Sequence, residues 1–147
     1  MSGTPLVSII IVNYNGLRHL DTCLEAVAAQ EDASFEAIVV DNGSHDGSAA
    51  HVRRRYPWAR LIELGENAGF ARGNNLGAAE ARGRLLAFLN NDTRAEPGWL
   101  AALCGALRGP DVALATSRIV YMHDPSIIDS AGDVPMPERL GYEHRRP

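Results

Sequence analysis

At 147 residues the chain has room for one domain with a substantial core, and it is too short for two domains of ordinary size. Hydrophobic residues make up 46% and charged residues 22%, a soluble globular composition, and the formal net charge of -4 argues against binding a nucleic-acid backbone. The two cysteines, Cys23 and Cys104, fall in helix-patterned segments as small apolar residues, which fits a reducing compartment and argues against a disulfide framework or a zinc site.

The chain opens with a loose stretch, after which residues 6–12, LVSIIIV, are rich in β-branched side chains and predict a buried strand ending at Asn13, Tyr14, Asn15 and Gly16. Leu17, Leu20, Leu24 and Val27 then recur at helical spacing and predict a helix through Gln30. Residues 35–40, FEAIVV, form a second predicted strand, which stops in Asp41, Asn42, Gly43 and Ser44. A helix is expected over 47–56, capped by Ser44 or Asp46 and ended by Pro57, with its Arg53, Arg54 and Arg55 on a solvated face. A short third strand follows at 60–64.

Residues 65–83, GENAGFARGNNLGAAEARG, read as a loop leading into a small-residue helix at about 71–81. Residues 85–89, LLAFL, carry no charge and predict a fourth strand buried on both faces. Pro97 suits the first turn of a helix whose inner face is Leu100, Leu103, Cys104 and Leu107, ended by Gly109 and Pro110. Residues 112–120, VALATSRIV, predict a fifth strand. From Tyr121 the pattern dissolves under Pro125, Pro135, Pro137 and Pro147, and Arg145 and Arg146 close the chain. Strands alternating with helices predict an α/β fold with a mostly parallel sheet over 1–120 and an irregular segment over 121–147.

The five histidines, His19, His45, His51, His123 and His144, show no metal-ligand spacing and read as surface or loop residues. The apolar run at 6–12 is far too short to span a bilayer and lacks the flanks of a signal peptide. A cytosolic location follows, with any attachment to the inner face of the cell membrane carried by parts outside these residues.

Three predicted strands end in polar clusters, which a parallel sheet sets along one edge, so that Asn13, Tyr14, Asp41, Asn42 and Asp92 can line a single crevice. That crevice suits a nucleotide. Asp41 can accept from a base N–H or a ribose hydroxyl, and Tyr14 can offer a flat face. At residues 90–93, NNDT, an extended backbone would point Asn90 and Asp92 one way and Asn91 the other. One carboxylate with a neighbouring amide oxygen can hold a hard divalent cation, the remaining positions going to water and phosphate oxygens. The same residue types also make a turn and helix N-cap ahead of Glu96 and Pro97. Gly69, Gly73 and Gly77 surround Asn74 and Asn75, either for close packing of a helix on a strand or for close approach of backbone to a ligand. Their spacing is neither GxGxxG nor a Walker A, and no Gly-Lys-Ser/Thr occurs.

The motifs VSIIIVNYNG, AIVVDNGSHDGS, ENAGFARGNNLGAAEARG and LLAFLNNDT, in that order, resemble those of the family 2 glycosyltransferases, and within them the rhamnosyltransferase-like bacterial branch. The resemblance covers residues 6–133. It implies a GT-A nucleotide-sugar fold, three-layer α/β/α, with this chain as the donor-binding part: 1–120 would bind the nucleotide sugar and 121–147 would begin the acceptor side. Val12 and Tyr14 fall at positions lining the nucleoside pocket, Asp41 at the aspartate contacting the base, and Asn74 near the donor diphosphate. Asn90, Asn91 and Asp92 fall on the Asp-x-Asp metal motif, with Asp92 as the metal ligand for Mg²⁺ or Mn²⁺. Asn13 and Asn42 join the donor-binding set.

The resemblance further implies transfer of the sugar to an acceptor hydroxyl on a glycan or lipid-linked acceptor, by a single inverting displacement, in the building of cell-envelope polysaccharide. Two departures from the family pattern stand out. Asn90 replaces the first aspartate, which removes one charge from the metal motif. The catalytic base of relatives lies in a later segment, expected beyond residue 147, and the spacing of Asp129, Asp133, Glu138 and Glu143 marks none of them for that role. An alternative follows: a nucleotide-sugar-binding piece without turnover. The sequence leaves donor sugar, base, acceptor and oligomeric state open.

Overall fold

The structure is a computed structural model, and it describes residues 3–31, 33–109, 111–136 and 141–144. Side chains are described through residue 132, so Asp133, Glu143 and His144 are placed by backbone alone, while Glu138, Arg145 and Arg146 lie outside the described residues. The chain divides into two compact units, the first ending at Leu100 and the second starting at Ala101.

The first unit runs β1 (Val7–Asn13), α1 (Leu17–Ala28), β2 (Phe35–Asp41), α2 (Ser48–Arg55), β3 (Arg60–Glu63), α3 (Phe70–Ala79) and β4 (Leu85–Phe88). Its strands pair in parallel, in the order β3-β2-β1-β4. All seven residues of β1 are buried because it is hydrogen-bonded on both sides. Alternation sends Ile10 and Val12 to one face, where they cluster with Ile38, Val40, Ile62, Leu64, Ala78 and Ala81. Ile9, Ile11 and Val39 point to the other face, equally buried. Right-handed crossovers put α1 and α2 on that second face and α3 on the first, because the chain steps from β1 to β3 in one direction and returns to β4 in the other. The buried stripe of α1, Leu20, Cys23, Leu24 and Val27, supplies the matching apolar surface. Each fully buried isoleucine or leucine here contributes roughly 1.5–3 kcal/mol.

The glycines of α3 resolve into two roles. A Cβ on Gly77 would lie 2.6 Å from Ile10 Cγ2, and one on Gly73 would lie 3.0 Å from Val12 Cγ1, so both exist to let the helix lie close on the sheet. Gly69 faces open space and takes φ 85° as the residue preceding α3.

Several expectations are corrected. β4 is not buried on both faces: Leu86 is 46% exposed and Phe88 54%. They lie at the register of Ser8 and Ile10, the face covered by α3, but α3 packs on β1 and β2 rather than β4. Residues 112–118 are not a strand, and Leu114 is 89% exposed. A strand exists only where it finds a partner, and Ala113, Ala115 and Ser117 are weak strand formers; only β5 (Ile119–Tyr121) pairs, antiparallel to β6 (Asp124–Ser130). Nor is the segment after Tyr121 irregular, since β7 (Asp133–Met136) pairs antiparallel with β8 (Gly141–His144). Prolines hid these strands, yet a two-stranded ribbon has open sides where Pro125 and Pro135 are tolerated. The helix α4 (Trp99–Ala106) starts two residues after Pro97, with Leu100 buried.

Helix α2 also differs in detail. Gly47 precedes it at φ 89°, and Asp46 rather than Ser44 serves its first turn, accepting from Ser48 N at 3.0 Å. Its arginines are partly engaged: Arg53 pairs with Glu63, and Arg55 bonds Glu25 at 2.8 Å. His51 is not a free surface residue. Its Nε2 lies 2.7 Å from Asp21 Oδ1, which also accepts from Tyr56 Oη, so α1 and α2 share a polar clasp. The hydrogen bond from Tyr56, then that from His51, holds the Asp21 carboxyl below its ordinary range.

Candidate functional site

In the order β3-β2-β1-β4 the topology reverses between β1 and β4, and ligands of open α/β sheets bind outside the carboxyl ends of the strands at such a switch point. A cleft of about 410 Å³ lies there, lined by Val12 and Tyr14 from the end of β1, Phe70 from the start of α3, and Asn90, Asn91 and Asp92 beyond β4.

The segment after β4 is a turn, not extended backbone. Leu89 N still donates to Ile10 O at 3.0 Å, and then Thr93 N and Thr93 Oγ1 both donate to Asn90 O, at 3.2 and 2.6 Å. Strict alternation of Asn90, Asn91 and Asp92 therefore fails, because the turn replaces the pleat. Beneath it sits Cys23 of α1, its Sγ 3.7 Å from Asn90 O. Burial, and then the charge of Asp92, pushes this thiol up to about 12.

Below the cleft the strand ends are knotted by a buried polar network. Asn13 is wholly buried, its Nδ2 donating to Asp41 Oδ2 at 3.1 Å and to Ser44 Oγ at 3.2 Å. Its Oδ1 accepts from Asn91 Nδ2 at 2.7 Å. Asp41 Oδ1 accepts from Ser44 N at 2.9 Å. Asn42 donates its N–H to Asn13 O at 2.7 Å, its Nδ2 to Asn67 Oδ1 at 3.0 Å, and accepts from Ala68 N at 2.8 Å. Asp46 accepts from Leu17 N at 2.9 Å and opens α1. Burial raises its carboxyl, and the hydrogen bonds from Ser48 and Leu17 outweigh that and leave it lowered. Among the described residues no buried side-chain polar atom lacks a partner.

The sequence-predicted residues thus separate. Val12, Tyr14, Asn90, Asn91 and Asp92 line the cleft; Asn13, Asp41 and Asn42 lie buried beneath it, Asn13 and Asn42 with most of their hydrogen-bonding capacity used inside the protein and Asp41 with one bond to each oxygen. Asn74 is not among the lining residues and folds back to donate to Phe70 O at 3.2 Å. Phe70, 60% exposed, is the lining residue that sequence reasoning missed. An aromatic side chain directly after Gly69 in an otherwise polar loop was the available signal.

Asp92 is exposed, and its carboxylate takes no hydrogen bond or ion pair from any described residue. No group of three or more His, Cys, Asp or Glu that could hold a metal occurs among the described residues. One free carboxylate beside two amides is a hard, oxygen-rich but incomplete donor set, which fits Mg²⁺ or Mn²⁺ shared with phosphate oxygens.

Fold and cleft together define a doubly wound α/β protein with a ligand crevice at its topological switch point. The family model for Glycosyl transferase family 2 matches residues 8–141, and the chain belongs to that family. Among its relatives, Glycosyltransferase AglE of Haloferax volcanii is 31% identical over 83% of this chain and 42% of its own length. The mannosyltransferase PcManGT from Pyrobaculum calidifontis, solved in complex with GDP-Man and Mn²⁺, is similar with a TM-score of 0.65 and 28% identity, over 76% of this chain and 34% of that one. S. aureus TarS, solved with UDP-GlcNAc, superposes with a TM-score of 0.63 and 23% identity, over 69% of this chain and 30% of that one. The fold is the GT-A type expected. The chain spans under half the length of the curated relatives it matches. No helix among the described residues is long and apolar enough to cross a membrane.

Proposed function

We propose that this chain binds a nucleotide-sugar donor in the cleft between β1 and β4 and forms the donor side of a metal-assisted, inverting glycosyltransferase. The observation that carries the reading is the exposed carboxylate of Asp92, without a partner among the described residues, on a turn that lines the cleft together with Tyr14 and Phe70. Family membership supports it, as does the likeness to a mannosyltransferase solved with GDP-Man and Mn²⁺.

Tyr14 and Phe70 offer apolar faces for the flat nucleoside, with Val12 as floor. Asp41 keeps a lone pair on each oxygen beyond those used by Asn13 and Ser44, and these would accept from a base N–H or a ribose hydroxyl. Asn74 reaches the diphosphate only by leaving its bond to Phe70 O. Asp92, with oxygens of Asn90 or Asn91, would hold a divalent cation, which neutralises charge on the departing nucleoside diphosphate. The acceptor, a glycan or lipid-linked hydroxyl in cell-envelope polysaccharide synthesis, and the base that deprotonates it belong to the acceptor side, which on this reading begins at 121–147. On this reading the protein is cytoplasmic and works at the inner face of the membrane.

A second reading, donor binding without turnover, rests on the cleft lining, in which Asp92 is the one carboxylate among the described residues. Calorimetry with a panel of nucleoside diphosphates and nucleotide sugars, in Mn²⁺, in Mg²⁺ and in chelator, tests the shared core of both. Metal-dependent binding that prefers one base is expected. Absence of binding to every member of the panel would overturn the proposal, and release of nucleoside diphosphate on adding acceptor would separate the enzyme from the binding module.

A further inference from the structure

We infer that Asn13 and Gly16 are positioning residues that couple the turn carrying Asp92 to the carboxylate of Asp41, so that metal binding and nucleotide binding act on each other through the amide of Asn13. The inference rests on the donor-site reading above and deepens it. Asn13 is wholly buried and is not among the residues lining the cleft, so it has no surface to offer a donor. What it has is a rigid, planar amide with both ends committed. The nitrogen donates to Asp41 Oδ2 and Ser44 Oγ on the β2 side, and the oxygen accepts from Asn91 Nδ2 on the β4 side. A flipped amide would set its oxygen against the Asp41 carboxylate and its NH₂ against the NH₂ of Asn91, so the network admits one orientation. A shift of the turn is therefore passed to Asp41.

Gly16 supplies the space for this link. A Cβ at Gly16 would lie 2.1 Å from Asn91 Nδ2 and 2.5 Å from Asn13 Oδ1, the two atoms of the bond itself. The backbone of Gly16, at φ -107° and ψ 21°, is open to any residue, so glycine is required for clearance and not for conformation. Cys23, with its Sγ near Asn90 O, supports the turn from the helix side. The sites for base and metal are thus joined by one side chain from the strand between them.

The test compares the 147-residue chain with its Gly16→Ala variant, which adds a methyl at the Asn13–Asn91 bond and alters no group placed in the cleft; Asn91→Ala is used in the ligand-free arm alone and serves there if Gly16→Ala does not fold. Uridine and guanosine diphosphate, with the other nucleoside diphosphates of the panel, are titrated calorimetrically in Mn²⁺ and in chelator. In the parent chain Mn²⁺ raises affinity; in Gly16→Ala that enhancement should fall about tenfold or more, while affinity in chelator moves by less than about threefold. A purely structural defect would lower both together. Retention of the parent's metal enhancement in Gly16→Ala overturns the coupling. A ligand-free arm keeps the two readings apart: amide NMR signals and hydrogen exchange of Asp41 and Ser44 should change in both variants. If the parent chain binds no nucleoside diphosphate of the panel, the donor-site reading fails and this arm alone decides, unchanged Asp41 and Ser44 signals overturning the link and changed signals supporting it.

Discussion

Cys23 lies wholly buried under the turn at Asn90, its thiol raised to about 12 by burial and by the charge of Asp92, whereas Cys104 is only half-buried. A thiolate reagent at pH 8 should therefore label the native protein at Cys104 and label Cys23 only after denaturation, which mass spectrometry reads directly. Fast native labelling of Cys23 would mean that the turn opens readily. Glu36 makes a second residue-scale case, at the other end of the sheet. Burial raises its carboxyl, but hydrogen bonds from Ser8 Oγ and Arg82 N, with the charges of Arg82 and Arg60, outweigh it and leave it below its ordinary 4.5. A depressed folded value means that its contribution is present above the ordinary value and is lost as pH falls through the depressed one. Glu36→Gln should flatten the fall in urea midpoint between about pH 5 and pH 3; an unchanged slope would remove Glu36 from the acid transition. At this scale the sequence identified the polar residues at the strand ends. It did not reveal that Asn13 and Asn42 are consumed by internal bonds, because residue type does not say which groups satisfy one another.

Helix α3 depends on two missing side chains. Adding a methyl at Gly77 would place it 2.6 Å from Ile10 Cγ2 and 3.0 Å from Val40 Cγ2, both in the packed core of the sheet. Gly77→Ala should cost about 1–3 kcal/mol through overpacking despite the better helix propensity of alanine, as measured by urea denaturation. A gain in stability would show that α3 can lift from the sheet without loss. β1 and β2 were legible from their continuous β-branched apolar runs, and α1 from a sustained period of about 3.6. The later elements were less so. β4 carries the composition of a fully covered strand but stands at the sheet edge, with α3 resting over its neighbours. Residues 112–118 lead into β5 without a partner of their own, and β6, β7 and β8 have partners without strand-like composition. Pairing is a non-local property, and local propensity misses it in both directions.

At the scale of the whole molecule, the ends of the parallel strands β1 and β4 meet at one crevice, with the polar end of β2 in the network beneath it, and the switch in topology between β1 and β4 opens it. The fold was legible in the sequence because the order of strands and helices determines which ends meet. The turn at Asn90, Asn91 and Asp92 was legible in its residues and not in its shape. The central claim is that the Asp92 carboxylate, exposed and without a described partner, holds the cation that makes donor binding metal-dependent. Calorimetric binding of a nucleoside diphosphate to the parent chain and to Asp92→Ala, each with Mn²⁺ and with chelator, tests it most directly. The account predicts that Mn²⁺ strengthens binding to the parent and leaves Asp92→Ala at its chelator value, with the circular dichroism of both unchanged. Equal Mn²⁺ enhancement in the two proteins would contradict it.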